Sequence, residues 1–248
     1  MTTLQSIVII GATSAIAQQT AREFARRGAA IMLCARSQEK LDAVAQDLRA
    51  YGASRVLTGI FDASDIKSHH GLIEKYASEL GGIDAVLIAY GTLPDNDSCY
   101  LQPDIAQQEF TLNATSIIGL SAQAANYFEK RGGGVIAVIS SVAGERGRQS
   151  NFLYGAAKGA VSLYTQGLRN RLSSKNIAVV TIKPGFVDTP MTAHVQKNPL
   201  FASAQSVGKA IADAMIARKD VVYVPGFWRF IMAVVRAIPE SIFKKMSM

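Results

Sequence analysis

Seven short, almost wholly apolar and β-branched runs recur along this chain, at residues 7–10, 30–34, 56–61, 85–89, 135–139, 177–182 and 221–224, with helical periodicity between them. A strand that is apolar on both alternating faces needs cover on both sides, the condition met in a parallel sheet with helices above and below. Parallel strands are joined through right-handed helical crossovers, so a doubly wound α/β sheet with flanking helices is expected. The 248 residues, 49 % of them hydrophobic, suffice for one such core. No repeat, low-complexity tract or Pro/Ser-rich linker divides it. A single domain is expected over 1–226, followed by an apolar and basic helical extension over 227–248.

The net charge of +7 favours anionic partners, but the basic residues form no long cluster of the kind nucleic acid needs, which sets nucleic acid aside. Cys34 falls in an apolar run and Cys99 in a polar loop; two cysteines make no disulfide framework and point to a reducing, cytoplasmic setting. His69 and His70 read as solvent-exposed helix positions and His194 as a loop residue. None has acidic or thiol partners at metal-ligand spacing, so no metal is expected. A first strand is expected over residues 4–10, and no signal peptide is expected ahead of it.

The first strand runs into Gly11-Ala12-Thr13-Ser14-Ala15-Ile16-Ala17 and then a helix. In a doubly wound sheet a dinucleotide lies across the carboxyl ends of the strands, its pyrophosphate held by N–H groups at the start of the first helix. Small residues at 11, 15 and 17 allow that approach; a plain strand-to-helix turn is the alternative. Alanine at 15 and 17 predicts right-handed geometry, since a positive φ would strain it. Arg36, helped by Ser37, ends the second strand where a guanidinium pairs with a 2′-phosphate, which favours NADP(H) over NAD(H) against the alternative of a surface arginine. Asp62, followed by Ala63, either receives the adenine amino group or caps the next helix.

Tyr154 and Lys158 stand four apart on one face of a predicted helix, thirteen residues beyond Ser141. A neighbouring ammonium is expected to pull the phenol toward physiological pH, where it trades protons with a substrate oxygen that the Ser141 hydroxyl also faces. A half-buried tyrosine beside a snorkelling lysine is the alternative.

Taken in order, Gly11 to Ala17, Asp62, Ala89-Tyr90-Gly91, Asn113, Ile139-Ser140-Ser141, Tyr154 to Lys158, and Pro184-Gly185-Phe186-Val187-Asp188-Thr189 give a chain that resembles the short-chain dehydrogenase/reductase family along nearly its whole length. The resemblance implies a single-domain, Rossmann-like enzyme moving hydride between NAD(P) and an alcohol or ketone, assembled as a dimer or tetramer. It implies Tyr154 as acid/base, Lys158 as its electrostatic partner and a ligand of the nicotinamide ribose, Ser141 as the group polarising the carbonyl, and Asn113 as the holder of a relay water. Val187 and Thr189 would contact the nicotinamide carboxamide. Thr13, Ser14, Ile16, Tyr90, Gly91, Pro184 and Gly185 would complete the cofactor cradle. Two departures stand out: alanines at 15 and 17 replace the usual glycines, and Ala89 stands where an asparagine normally ties neighbouring strands.

Gly147-Arg148-Gln149-Ser150 and the Pro184 to Met191 stretch, with the Trp/Arg-rich tail, are similar to the subgroup around decaprenylphosphoryl-2-keto-ribose reductase. That likeness implies reduction of a lipid-linked keto-sugar. A soluble hydrophobic ketone, fatty or steroid-like, is the alternative substrate, and a non-catalytic nucleotide-binding scaffold the alternative role. Arg146 and Arg148 either meet an anionic substrate or sit on a solvated loop. The segment 190–205 reads as a substrate flap, with Met191, Val195, Leu200 and Phe201 either lining an apolar pocket or packing beneath a short helix. The tail from Phe227 to Ile238 is too interrupted by Arg229, Arg236 and Pro239 to span a bilayer. It either lies on the inner face of a membrane through 228–245, with Trp228 at the interface and Lys244 and Lys245 on headgroups, or packs against the domain or a second subunit.

Overall fold

The computed structural model describes residues 4–193 and 195–246, so the loop reading of His194 lies outside the described residues. The strands β1 (Ser6–Ile10), β2 (Ala30–Ala35), β3 (Arg55–Ile60), β4 (Ala85–Ile88), β5 (Gly134–Ile139) and β6 (Ile177–Pro184) fall where the apolar runs predict. Two short strands, β7 (Val187–Asp188) and β8 (Ala202–Ser203), pair with each other, and β9 (Val221–Val224) closes the main sheet. The seven-stranded sheet is parallel throughout, in the order β3-β2-β1-β4-β5-β6-β9. This is the expected doubly wound, Rossmann-like α/β domain.

Alternation along β1 shows why the runs are continuous. Ile7 and Ile9 point into one core, while Val8 and Ile10 point into the other, and all four are fully buried. The first core is covered by α1 (Ala15–Ala25), α2 (Gln38–Ala50) and α8 (Ala204–Ile216). The second lies under α3 (Leu72–Leu80), α6 (Ser116–Arg131) and α7 (Phe152–Leu172). Two short helices, α4 (Asn96–Leu101) and α5 (Pro103–Phe110), precede α6 and pack against α7. The chain ends in α9 (Trp228–Ala237) and α10 (Glu240–Phe243).

Three local expectations are corrected. His69 is buried rather than exposed: its Nε2 lies 2.7 Å from the Asp62 carbonyl oxygen and its ring stacks on Phe61 with centroids 4.8 Å apart. Cys99 is buried in α4 rather than held in a polar loop, and burial pushes its thiol up. Trp228 turns inward, 5 % exposed, so it does not lie at a membrane interface. The inner face of α9 packs on the domain, where Trp228, Met232 and Val235 join Val142 and Phe243 in a third small apolar cluster.

Candidate active site

The carboxyl ends of β1, β2, β4, β5 and β6 open into one cavity of about 1490 Å³. Its first wall is the turn into α1. Gly11 adopts φ +86°, and a side chain there would meet the Tyr90 backbone nitrogen at 2.7 Å, so only glycine fits. Ser14 caps α1 by accepting from the Ala17 N–H at 3.2 Å. Among the described residues only Asn176 and Arg218 combine a side chain with positive φ, so the alanines at 15 and 17 sit without strain, as their identity predicts. Thr13, Ser14, Ala15 and Ile16 face the cavity at the positive end of the helix, where free N–H groups suit a phosphate.

Arg36 lies exposed at the end of β2 and lines the same cavity, joined there by Lys40 in the first turn of α2. Sequence reasoning missed Lys40, although it stands four residues from Arg36 across the start of a helix. Ser37, Asp62 and Ala63 do not reach the wall. Ser37 caps α2, accepting from the Lys40 N–H at 3.3 Å. The Asp62 carboxylate accepts from the Ser64 N–H and hydroxyl at 2.9 and 2.6 Å; these bonds, with the charges of Arg36 and His69, hold it below its usual pKa. The helix after it is capped instead by Asp65.

Tyr90, just after β4, ties its loop to the start of α6 and to Phe61 beyond β3. Its hydroxyl lies 2.8 Å from the Ser116 hydroxyl, its ring meets Phe61 at 5.3 Å, and burial raises its pKa. Asn113 is buried behind Gly91 rather than on the wall, inside a π-helical turn over Thr111–Thr115 that joins α5 to α6. Its amide donates to Thr92 Oγ1 at 2.9 Å and to the Glu109 carbonyl at 3.1 Å, and its Oδ1 accepts from the Thr92 N–H at 3.0 Å. Glu109, one turn before Asn113, also bonds the Thr92 hydroxyl, a partnership that the i, i+4 spacing could have suggested.

Ser141 lies two residues beyond β5, and Tyr154 stands in the first turn of α7. Gly144 abuts the backbone of Lys158 and Gly159, and Gly155 abuts the Ala143 carbonyl, so two glycines allow the turn after Ser141 to press against α7. Ser141, Tyr154 and Lys158 thereby share one wall. The Lys158 ammonium, 2 % exposed, donates to the Ile139 carbonyl at 3.2 Å and lies 5.8 Å from the Tyr154 ring centroid. Burial pushes Lys158 down to about 8. The expectation of a phenol drawn toward neutrality is corrected: burial pushes Tyr154 up to about 12, with Ser141 pulling the other way. At neutral pH the Tyr154 phenol therefore keeps its proton.

The model of the short chain dehydrogenase family matches residues 5–200. This chain belongs to the short-chain dehydrogenase/reductase family. It is 32 % identical over 243 residues to an uncharacterized oxidoreductase of Streptomyces coelicolor, covering 98 % of this chain and 96 % of that one. It is also 32 % identical over 242 residues to an uncharacterized oxidoreductase of Mycobacterium tuberculosis, covering 97 % and 96 %. The crystal structure of a single-substitution variant of actinorhodin polyketide ketoreductase with NADPH shares the fold at TM-score 0.80 and 21 % identity, over 90 % of this chain and 97 % of that one. The dehydrogenase/reductase is accordingly an NAD(P)-dependent oxidoreductase of carbonyl and alcohol groups.

Pro184, Gly185, Val187 and Thr189 of the dehydrogenase/reductase line the cavity beside Tyr154. The segment expected as a flap over 190–205 is shortened at its far end, since β8 and α8 already begin at 202 and 204. Met191, Val195 and Leu200 face the cavity, while Phe201 stacks on Phe186 at 5.2 Å, and Phe186 meets Trp228 edge-on at 5.5 Å. The tail supplies Trp228, Ile231, Met232 and Val235 to the same wall, a contribution the sequence did not assign. Of the two arginines at the mouth, Arg146 faces away and fastens the tail, donating to the carbonyls of Val235, Arg236 and Ile238 at 2.7, 3.2 and 2.6 Å, pairing with Glu240 at 2.9 Å and covering the Phe243 ring at 3.8 Å. Arg148 lines the cavity, and its buried Nε has no hydrogen-bond partner among the described residues.

Proposed function

We propose that the chain is an NADPH-dependent reductase of an anionic carbonyl compound borne on an apolar carrier, in the manner of a keto-sugar on a polyprenyl phosphate. The observation that carries this reading is the division of one cavity into three parts: Arg36 and Lys40 at one end, Ser141, Tyr154 and Lys158 in the middle, and an apolar chamber with Arg148 at its rim. The two cations suit a ribose 2′-phosphate, and the Gly11 close approach with the α1 N-terminus suits a pyrophosphate. A bound nicotinamide supplies hydride to the carbonyl carbon.

The chain's own residues then have distinct tasks. The Tyr154 hydroxyl hands its proton to the carbonyl oxygen, and the Ser141 hydroxyl donates a hydrogen bond to the charge developing there. Lys158, fixed by the Ile139 carbonyl, sets the field beneath the phenol and holds the nicotinamide ribose. Asn113 shapes the π-turn behind Lys158 for the relay water, while Val187 and Thr189 meet the carboxamide. Desolvation lowers the pKa of Arg148, and its unpartnered Nε favours pairing with a substrate anion. Assembly as a dimer or tetramer agrees with α7, which leaves Leu163 71 % exposed.

The apolar lining from the flap and tail also favours a second reading, a soluble hydrophobic ketone. NADPH oxidation should be measured with a polyprenyl-phosphate keto-sugar, the same keto-sugar phosphate without lipid, and a steroid ketone. Turnover fastest on the lipid-linked compound is expected. Preference for the steroid selects the second reading, and no turnover of any carbonyl selects a non-catalytic scaffold.

A further inference from the structure

The C-terminal helix α9 is apolar on both sides. Its inner stripe, Trp228, Ile231, Met232 and Val235, forms cavity wall. Its outer stripe, Phe230 and Val234, spaced i, i+4, is 73 % and 66 % exposed. Phe227 just before the helix, Ile242 in α10 and Met246 beyond it are also exposed, at 39 %, 56 % and 40 %. A surface helix that is apolar on both sides leaves one face without its proper solvent.

The charge around this face is predominantly basic. From residue 226 to 246 the basic residues are Arg229, Arg236, Lys244 and Lys245, and the acidic one is Glu240. Glu240 is already paired with Arg146. Arg229, Lys244 and Lys245 are exposed and make no ion pair among the described residues; Arg236 reaches the buried Glu145 at 3.4 Å. Among the described residues no helix is long and apolar enough to cross a membrane. Aromatic and aliphatic side chains between lysines and arginines are what an anionic lipid interface accepts: the rings and methyls enter the acyl boundary and the cations meet headgroup phosphates.

We propose that α9 and α10 dock the protein on an anionic lipid surface through Phe227, Phe230, Val234, Ile242 and Met246, with Arg229, Lys244 and Lys245 on the headgroups. The helix that touches lipid on its outer side then forms the chamber wall on its inner side. A carbonyl borne on a lipid reaches the site by passing the end of one helix, without leaving the interface. This delivery role rests on the carbonyl-reductase reading above; docking itself does not.

The full-length protein should be sedimented with phosphatidylcholine vesicles containing or lacking phosphatidylglycerol, beside Phe230→Ser/Val234→Ser and Lys244→Gln/Lys245→Gln variants. Melting curves check that each variant folds, and light scattering after size exclusion reports its subunit count. Wild type should pellet with the anionic vesicles only, and high salt should release it. The serine pair should abolish recovery, and the glutamine pair should weaken partitioning by about thirtyfold, from about 1 kcal/mol per lysine. Equal recovery of wild type and the serine pair overturns the proposal, as does failure of wild type to pellet. If wild type stays in solution and the serine pair splits an oligomer, the face belongs to a second copy of this chain, and the lipid proposal falls. Because binding is read without turnover, an inactive enzyme that still pellets refutes the reductase reading and leaves the docking surface standing.

Discussion

The indole of Trp228 occupies the space that any side chain at Gly185 would need. Gly185 belongs to the turn after β6 that lines the middle of the cavity, and Trp228 begins the C-terminal helix, so the tail is seated on the backbone of the site itself. Gly185→Ala should push Trp228 and α9 outward, costing about 1–3 kcal/mol in overpacking. Thermal melting should show the loss, the KM for the carbonyl should rise more than that for NADPH, and Trp228→Leu added to Gly185→Ala should recover part of both.

Tyr154→Phe removes the phenolic proton donor while keeping the ring. Turnover should fall by about three orders of magnitude or more, since a positioned acid contributes roughly 10²–10⁴ in rate. NADPH affinity, read by fluorescence titration, should change little. Near-normal NADPH oxidation by this variant would sink the role given to Tyr154.

Lys158 links chemistry to stability. Its pKa falls from 10.5 in the unfolded chain to about 8 in the fold, so the folded state binds the proton less well. Burying the ammonium therefore costs stability below pH 8, and the cost is relieved as pH rises from about 8 to 10.5. Lys158→Met should raise stability at pH 7 by on the order of 3 kcal/mol and flatten that rise, while abolishing turnover. Denaturant titrations of both proteins across this range, without nucleotide, measure it.

Arg36 and Lys40 are proposed to set the cofactor preference. Arg36→Ala/Lys40→Ala should weaken NADPH by about 3 kcal/mol or more, as two charge-assisted contacts are lost, and leave NADH nearly unchanged. The ratio of kcat/KM for the two cofactors is the readout; an unchanged ratio would remove both residues from the 2′-phosphate site.

Arg146→Met should loosen the tail. It deletes donors to three carbonyls, the Glu240 pair and the cover over Phe243, together on the order of 2–4 kcal/mol. Limited proteolysis should then cut within residues 226–246 ahead of the domain, and carbonyl KM should rise with the opened wall.

The sheet was legible in the order of residues, because strands buried on two faces must be continuously apolar and such runs cannot be mistaken for half-wet ones. Ser141, Tyr154 and Lys158 were legible too, since strand end and helix turn fix their placement locally, and alanine at 15 and 17 announced its own right-handed geometry. The remaining features each have a long-range cause and emerged with the folded chain. The direction of the Tyr154 shift depends on how much of the phenol the surrounding walls desolvate, which i, i+4 spacing does not report. Arg146 and Arg148 are two residues apart and chemically alike, yet one is consumed by carbonyls about ninety residues away and the other is left facing the cavity. His69 is buried because Phe61 and the Asp62 carbonyl await it across a turn. The tail's dense apolar composition was plain, but which stripe faces inward was set by Gly185, Val142 and Phe243, surfaces that exist only once the chain has folded.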